Sequence, residues 1–133
     1  MIGVGMMGSH HSRAYYHNPN TEIVAAADPD EVNLKRFTDV YGVPGYTNYN
    51  EMLAKENLDI AGAVLPVREN VNAVVAAAEA GVKAIFCDKP LTASLADADR
   101  AVEACAANNV IWYGGHTFRN YTQFWKAREM IEA

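Results

Sequence analysis

Three glycines near the start of the chain, Gly3, Gly5 and Gly8, constrain its fold more than any other feature. Their spacing is G-x-G-x-x-G; apolar Ile2 precedes them, and helical sequence runs from the loop to about His17. In a strand–turn–helix unit, the first glycine permits a tight turn, the second lets a ligand approach the backbone, and the third brings the helix close to the sheet. The spacing therefore predicts a strand that ends at Ile2 and a helix that starts in the glycine loop.

The rest of the chain alternates short apolar runs with amphipathic helical segments. Strands are expected over residues 22–27, 59–65, 83–87 and 110–113, and helices over residues 30–41, 50–55, 70–80, 94–107 and 120–133. This alternation is typical of βαβ units and a parallel sheet. The predicted fold class is α/β, a Rossmann-like doubly wound parallel sheet. We expect it to be truncated at both ends, because only two residues precede the loop and the last helix is unfinished at Ala133.

Composition and sequence patterns argue against several classes of protein. The chain has 133 residues, of which 50% are hydrophobic, and a net charge of -5, so we expect one globular domain and no nucleic-acid partner. No apolar run is long enough for a membrane span, and no leader precedes the glycine loop. Cys87 and Cys105 lack zinc-site spacing, so we expect no metal and two reduced, buried thiols in a cytoplasmic protein.

Asp28 lies twenty residues after Gly8, at the end of the second predicted strand. In dinucleotide-binding folds, an acidic residue at about this distance accepts hydrogen bonds from ribose hydroxyls, and the pyrophosphate lies at the helix N-terminus. A carboxylate here favours NAD over NADP, because it repels a 2′-phosphate and no arginine is adjacent to Asp28 in the sequence. The alternative is that the glycines form only a turn and Asp28 only caps the strand. The predicted cofactor-binding residues of this region are Gly3, Gly5, Met6, Met7, Gly8 and Asp28.

A second candidate region, Asp88-Lys89-Pro90, follows another buried strand, and Pro66 ends the strand before it. Ligands of open α/β sheets bind at this edge, so we predict cofactor contacts from all four residues. Pro90 restrains the local backbone, and a cis peptide is one way to do so. Lys89 is the candidate catalytic acid or base, a role that requires desolvation or a neighbouring positive charge near neutral pH. The alternative is an ordinary surface lysine before a turn proline.

These residues together resemble the Gfo/Idh/MocA family of oxidoreductases, specifically its N-terminal cofactor domain. The resemblance covers essentially the whole chain. The matching positions are Gly3, Gly5, Gly8 and His11, Asp28, residues 49–53, Leu58 and Asp59, Pro66, Ala80 and Gly81, residues 88–91, and Phe118 and Arg119. Two departures stand out: Asp88 replaces the family's usual glutamate, and residues 67–70 contain none of the histidines that many members carry there.

The resemblance implies NAD(P)-dependent oxidation or reduction of a sugar, an inositol or a related polyol, with Lys89 matching the family's catalytic lysine. It implies a cofactor domain over residues 1–119, and residues 120–133 as the start of a helix that leads to an absent C-terminal substrate domain. That α+β domain would supply a catalytic histidine, so this chain alone is expected to be inactive. A homo-oligomer of the full-length enzyme is compatible with the resemblance.

Two residues after the last predicted strand, His116 and Arg119, are candidate substrate contacts. Arg119 is equally compatible with anchoring the next helix. The runner-up function is a nucleotide-binding module or fragment without catalysis.

Overall fold

The computed structural model describes residues 1–133 and has the alternating strands and helices that the sequence predicts. The strands are β1 (Ala26–Ala27), β2 (Gly45–Tyr46), β3 (Ile60–Ala63), β4 (Ala84–Cys87) and β5 (Ile111–Gly114). The helices are α1 (Met6–Tyr16), α2 (Glu31–Tyr41), α3 (Tyr49–Lys55), α4 (Val67–Glu79), α5 (Leu95–Ala107) and α6 (Thr122–Glu132), with a 3-10 turn over Thr117–Asn120. None of these helices combines the length and apolar character that crossing a bilayer requires.

Ile2 joins the strands into one parallel sheet in the order β2-β1-Ile2-β3-β4-β5. Its N–H donates to the carbonyl of Gly62 and its carbonyl accepts from the N–H of Val64, each over 2.8 Å. On its other side it pairs with Ala27 of β1. Because β1 and β3 lie on opposite sides of Ile2, the strand order reverses there, and ligands of such sheets bind at the carboxyl edge beside this reversal.

Small side chains bring α4 close to the sheet. Ala73, Ala77 and Ala78 of this helix are completely buried, in one core cluster with Ala63 of β3 and Ile85 of β4. Interiors are close-packed, so the short side chains on both surfaces fix a short helix-to-sheet distance. This packing holds the carboxyl ends of β3 and β4 in a defined position relative to the start of α4.

Several predicted boundaries are wrong for identifiable reasons. Helix α3 begins before the predicted residue 50, because Asn48 caps it: its backbone is extended (φ -128°, ψ 120°) and its side chain accepts from the N–H of Asn50, as an N-cap requires. Helix α4 begins at Val67, directly after Pro66, and therefore includes Asn70. Helix α6 begins at Thr122, since the 3-10 turn occupies the preceding residues.

Strand β1 is also shorter than the strand predicted over residues 22–27. Residues 22–25 precede β1 without belonging to it, because neighbours pair with this strand only at Ala26 and Ala27. Local side chains cap α2 and α5: Asp30 accepts from the N–H groups of Val32 and Asn33, and Ser94 accepts from that of Asp97.

Candidate functional site

The predicted site residues follow strands whose carboxyl ends meet at one edge of the sheet. The glycine loop follows Ile2, Asp28 follows β1, Pro66 lies three residues after β3, and Asp88 follows β4. Hydrogen bonds continue between these segments past the strands, from the N–H of Val4 to Asp28 and from the N–H of Asp88 to the carbonyl of Ala63. These hydrogen bonds therefore join the glycine loop to the segment after β1, and the segment after β4 to the end of β3.

The three glycines of the loop have different surroundings. A Cβ on Gly3, whose φ is +79°, would lie 2.2 Å from the carbonyl oxygen of Val64, and one on Gly8 would lie 1.9 Å from that of Gly3. A Cβ on Gly5 would meet only Nδ2 of Asn33, at 3.8 Å. Packing thus requires the first and third glycines, whereas the second leaves open space over the backbone, as close approach of a ligand requires.

The N-terminus of α1 is free to receive an anion. Gly5 is its N-cap, no side chain caps it, and no acidic residue lies in its first turn. The first N–H groups of an α-helix have no partner within the helix, and they lie at the positive end of its dipole. Met6 and Met7, which carry two of these groups, are exposed. The loop therefore presents unpaired donors and a positive partial charge beside the open face of Gly5.

Both carboxylate oxygens of Asp28 are used within the protein. Oδ2 accepts from the N–H of Val4 over 2.8 Å, and Oδ1 accepts from the N–H of Asp30 over 2.9 Å. The residue is buried and forms no ion pair with a lysine or an arginine. Asp28 thus holds the glycine loop against β1. Each carboxylate oxygen has further acceptor capacity for a ligand hydroxyl.

The Asp88-Lys89-Pro90 segment turns sharply at the end of β4. Oδ1 of Asp88 accepts from the N–H of Lys89 over 2.9 Å, and the Lys89–Pro90 peptide is cis. The Lys89 side chain is exposed, and its amine forms no ion pair or hydrogen bond within the protein. Its ammonium group is therefore available to a ligand at this edge.

Asn70 contacts this segment, and the sequence analysis did not identify it as a site residue. Its Oδ1 accepts from the N–H of Leu65 over 3.3 Å, and its Nδ2 donates to the carbonyl of Pro90 over 3.0 Å. The available signal was its position in α4, where it shares the buried face with Ala73, Val74 and Ala77. A lone amide at an apolar position of a helix indicates a specific hydrogen-bonding partner.

Asn33 is a second missed residue, and it lies beside the glycine loop. Its Oδ1 accepts from the guanidinium of Arg36 over 2.6 Å, while Nδ2 faces the open side of Gly5. Its place in the first turn of α2, directly after the Asp30 cap, was the only sequence signal.

The histidines occupy different environments. Nε2 of His11 lies 3.7 Å from Oδ2 of Asp88 and is buried without a hydrogen-bond partner, and its ring packs 4.9 Å from that of Phe86. His11 therefore borders the Asp88 turn. His116 and Arg119 follow β5 on the same edge and are exposed, but neither forms an ion pair.

The two cysteines are buried, as predicted. Burial, together with the neighbouring charge of Asp88, raises the pKa of the Cys87 thiol to about 11, and burial raises the pKa of Cys105. A protonated, buried thiol is a poor nucleophile and a poor metal ligand. No three His, Cys, Asp or Glu side chains are close enough to hold a metal ion.

A family model described as "Oxidoreductase family, NAD-binding Rossmann fold" matches residues 1–116. Myo-inositol 2-dehydrogenase of Thermotoga maritima is 29% identical over 133 residues, which cover 99% of this chain and 40% of that protein. The chain thus spans less than half the length of this curated relative.

Solved structures with the same fold include a dehydrogenase and an oxidoreductase. Myo-inositol 2-dehydrogenase of Lactobacillus plantarum superposes with a TM-score of 0.89 at 28% identity, over 98% of this chain and 39% of that one. An oxidoreductase of Agrobacterium radiobacter, in complex with NAD+, L-tartaric acid and magnesium, gives a TM-score of 0.90 at 25% identity, over 98% and 38%. The predicted Rossmann-like class is thereby confirmed.

Proposed function

Because the chain belongs to the Gfo/Idh/MocA family of oxidoreductases and carries its NAD-binding Rossmann fold, we propose that the glycine-loop edge of its sheet holds NAD for hydride transfer to or from a sugar or polyol. The open face of Gly5 beside the uncapped start of α1 is the observation that carries this proposal. It is the one place in the loop where a bulky anion can reach backbone donors, since packing closes the other two glycines. Relatives named as inositol dehydrogenases support the substrate class.

The residues at the glycine-loop edge fit NAD. The pyrophosphate would lie on the N–H groups of Gly5, Met6 and Met7, and Asp28 would accept from the adenosine ribose hydroxyls. The other half of the dinucleotide would then extend across Ile2 towards the ends of β3 and β4. The proposed contacts there are Pro66, Asp88, Lys89 and Pro90.

NAD is proposed in preference to NADP. The Asp28 carboxylate has no cationic partner, so a 2′-phosphate at the same ribose would meet an unscreened negative charge. The relative from Agrobacterium radiobacter, which holds NAD+, supports this preference.

Bound NAD supplies a nicotinamide ring that accepts or donates a hydride. Within this chain, the unpaired amine of Lys89 is the group available to hold or move the proton of a substrate hydroxyl or carbonyl oxygen at that edge. Asp88 fixes the backbone of the lysine through its N–H. His116 and Arg119 are proposed substrate contacts, because both are exposed beyond β5 on the same edge.

Residues 1–119 are proposed as the cofactor domain, and α6 as the connection to further structure. Every residue from 116 to 133 is exposed, including the large apolar side chains of Phe124, Trp125, Met130 and Ile131. Turnover is therefore proposed for a protein that includes a substrate domain.

Titration with NADH tests the cofactor proposal. Gly5→Ala should lower the thermal unfolding temperature only slightly, since its Cβ meets open space and alanine is a poorer N-cap than glycine, but raise the Kd for NADH at least tenfold, equivalent to about 1.4 kcal/mol. Gly81→Ala is the matched control: φ is +83° there, remote from the site, so this variant should lose stability and keep its affinity. No NADH binding by the folded wild type, or equal affinity of the Gly5→Ala variant, would contradict the proposal.

A further inference from the structure

Four polar side chains are buried in this domain. Three of them form hydrogen bonds to backbone segments at the carboxyl edge of the sheet, and the fourth forms one within the adjacent helix α1. Asp28 binds the glycine loop, Asp88 binds the N–H of Lys89, and Ser12 donates to the carbonyl of Gly8. The fourth is Asn70, which is only 1% exposed. Its two hydrogen bonds link the segments that follow β3 and β4.

We propose that Asn70 is a positioning residue that fixes the Lys89–Pro90 turn against the Leu65–Pro66 turn, so that the two together form a rigid seat for the nicotinamide half of the cofactor. This inference rests on the proposed function. The donor and acceptor of one amide are both used: Nδ2 holds the carbonyl of Pro90, and Oδ1 holds the N–H of Leu65.

Packing alone does not account for an amide at this position. The rest of the buried face of α4 is aliphatic, and an apolar side chain at residue 70 would continue it. A buried amide is costly unless its hydrogen-bonding groups are satisfied, and asparagine favours the helix less than alanine or leucine does. What the amide adds is a fixed distance between two backbone turns.

The strand order indicates which part of the ligand these turns would meet. Asp28 follows β1 on one side of Ile2, while the two turns follow β3 and β4 on the other. A dinucleotide with its adenosine ribose at Asp28 and its pyrophosphate at the glycine loop extends towards β3 and β4. Asn70 therefore supports the nicotinamide end and leaves the adenosine end to Asp28.

A comparison of the affinities for two ligands distinguishes this positioning role from general stabilisation of the fold. NADH carries the nicotinamide ring, whereas ADP-ribose lacks the ring and retains the pyrophosphate and the adenosine. Asn70→Asp keeps an acceptor for Leu65 but replaces the donor to Pro90 with a negative oxygen. It should raise the Kd for NADH about tenfold or more and change the Kd for ADP-ribose less than twofold, measured by calorimetry on the whole 133-residue chain. Asn72→Asp, at an exposed position of the same helix, should change neither.

A second variant covers the case in which Asn70→Asp does not fold. Asn70→Ser keeps a donor and an acceptor on a shorter side chain, and it should show the same selective loss of NADH affinity. A parallel loss for both ligands, or no loss for either, would overturn the positioning role while leaving the cofactor proposal intact. A folded wild type that binds neither ligand would overturn the cofactor proposal itself and the positioning role with it.

Discussion

Asp28 has both a structural role in the fold and a proposed role in cofactor binding. Its carboxylate accepts from the backbone of Val4 in the glycine loop and of Asp30 in the turn after β1, which fixes both segments. The same carboxylate is the proposed partner of the cofactor ribose. Substitutions at this residue should therefore change both the stability of the fold and the choice between NAD and NADP.

Asp28→Asn separates these effects by removing the charge. An amide offers one oxygen where two backbone N–H groups need acceptors, so unfolding by urea should show a loss of about 1–3 kcal/mol. The ratio of the Kd for NADPH to that for NADH should fall, because the repulsion of the 2′-phosphate is gone. Asp39→Asn, which removes an exposed carboxylate paired with Lys35, should leave the ratio unchanged. An unchanged ratio in the Asp28 variant would remove this residue from cofactor discrimination.

Lys83, at the opposite end of β4, provides a control for Lys89. Lys83 precedes β4 and pairs with Asp59 over 2.6 Å, whereas Lys89 follows β4 and is unpaired. In a form of the protein that turns over substrate, Lys89→Ala should reduce kcat by a factor of about 10²–10⁴ with little change in the Kd for NADH. Lys83→Ala should leave kcat unchanged. Equal kcat values for the two variants would exclude Lys89 from proton transfer.

At the scale of elements, the sequence predicts regular features better than those that depend on distant contacts. Asp30, Ser94 and the glycine spacing act locally, within a few residues, and the elements they predict are present. The sequence predicts a helix over residues 70–80, whereas α4 already begins at Val67 and includes Asn70. The Asn70 side chain bonds Pro90, twenty residues away. An amide on an apolar helix face indicates that a partner exists, but no local pattern identifies a partner that is distant in sequence, and the roles of Asn70 and Asn33 were missed for that reason.

Helix α6 is the element with the least support from the rest of the chain. None of its residues is buried. Removing residues 121–133 should therefore change the free energy of unfolding by less than about 0.5 kcal/mol, as expected for a surface change. The Kd for NADH should also stay the same. A loss of more than about 1 kcal/mol would show that α6 belongs to the cofactor domain and would contradict the proposed boundary at residue 119.

At the scale of the whole molecule, the sheet depends on a connection that is one residue wide. Ile2, which is 1% exposed, pairs with Ala27 on one side and Ala63 on the other, and so joins a two-stranded half to a three-stranded half. Met1 extends this connection by one hydrogen bond, from its amino group to the carbonyl of Ala25 over 2.7 Å. An ionisable amino group thereby lies in the interior, between the two halves.

The buried amino group makes stability depend on pH in a polypeptide with a free amine at Met1. Burial lowers its pKa from 8.0 to about 5, so between these values the unfolded chain binds more protons than the folded one. The free energy of unfolding should therefore rise with pH from about 5 to 8, by at most about 4 kcal/mol at about 1.36 kcal/mol per pKa unit. Below pH 5 both states are protonated and the full penalty remains.

Nα-acetylation provides the control, because it removes the charge and leaves every other titrating group in place. A cavity of about 320 Å³ lined by Met1, Ala25 and Gly62 has room for the acetyl group. Urea unfolding of both forms at pH 5, 6, 7 and 8 should give curves that diverge towards low pH, with the acetylated form the more stable at pH 5. Parallel curves would mean that the amine leaves the interior when it is charged, and that Ile2 joins the two halves of the sheet without the contact between Met1 and Ala25.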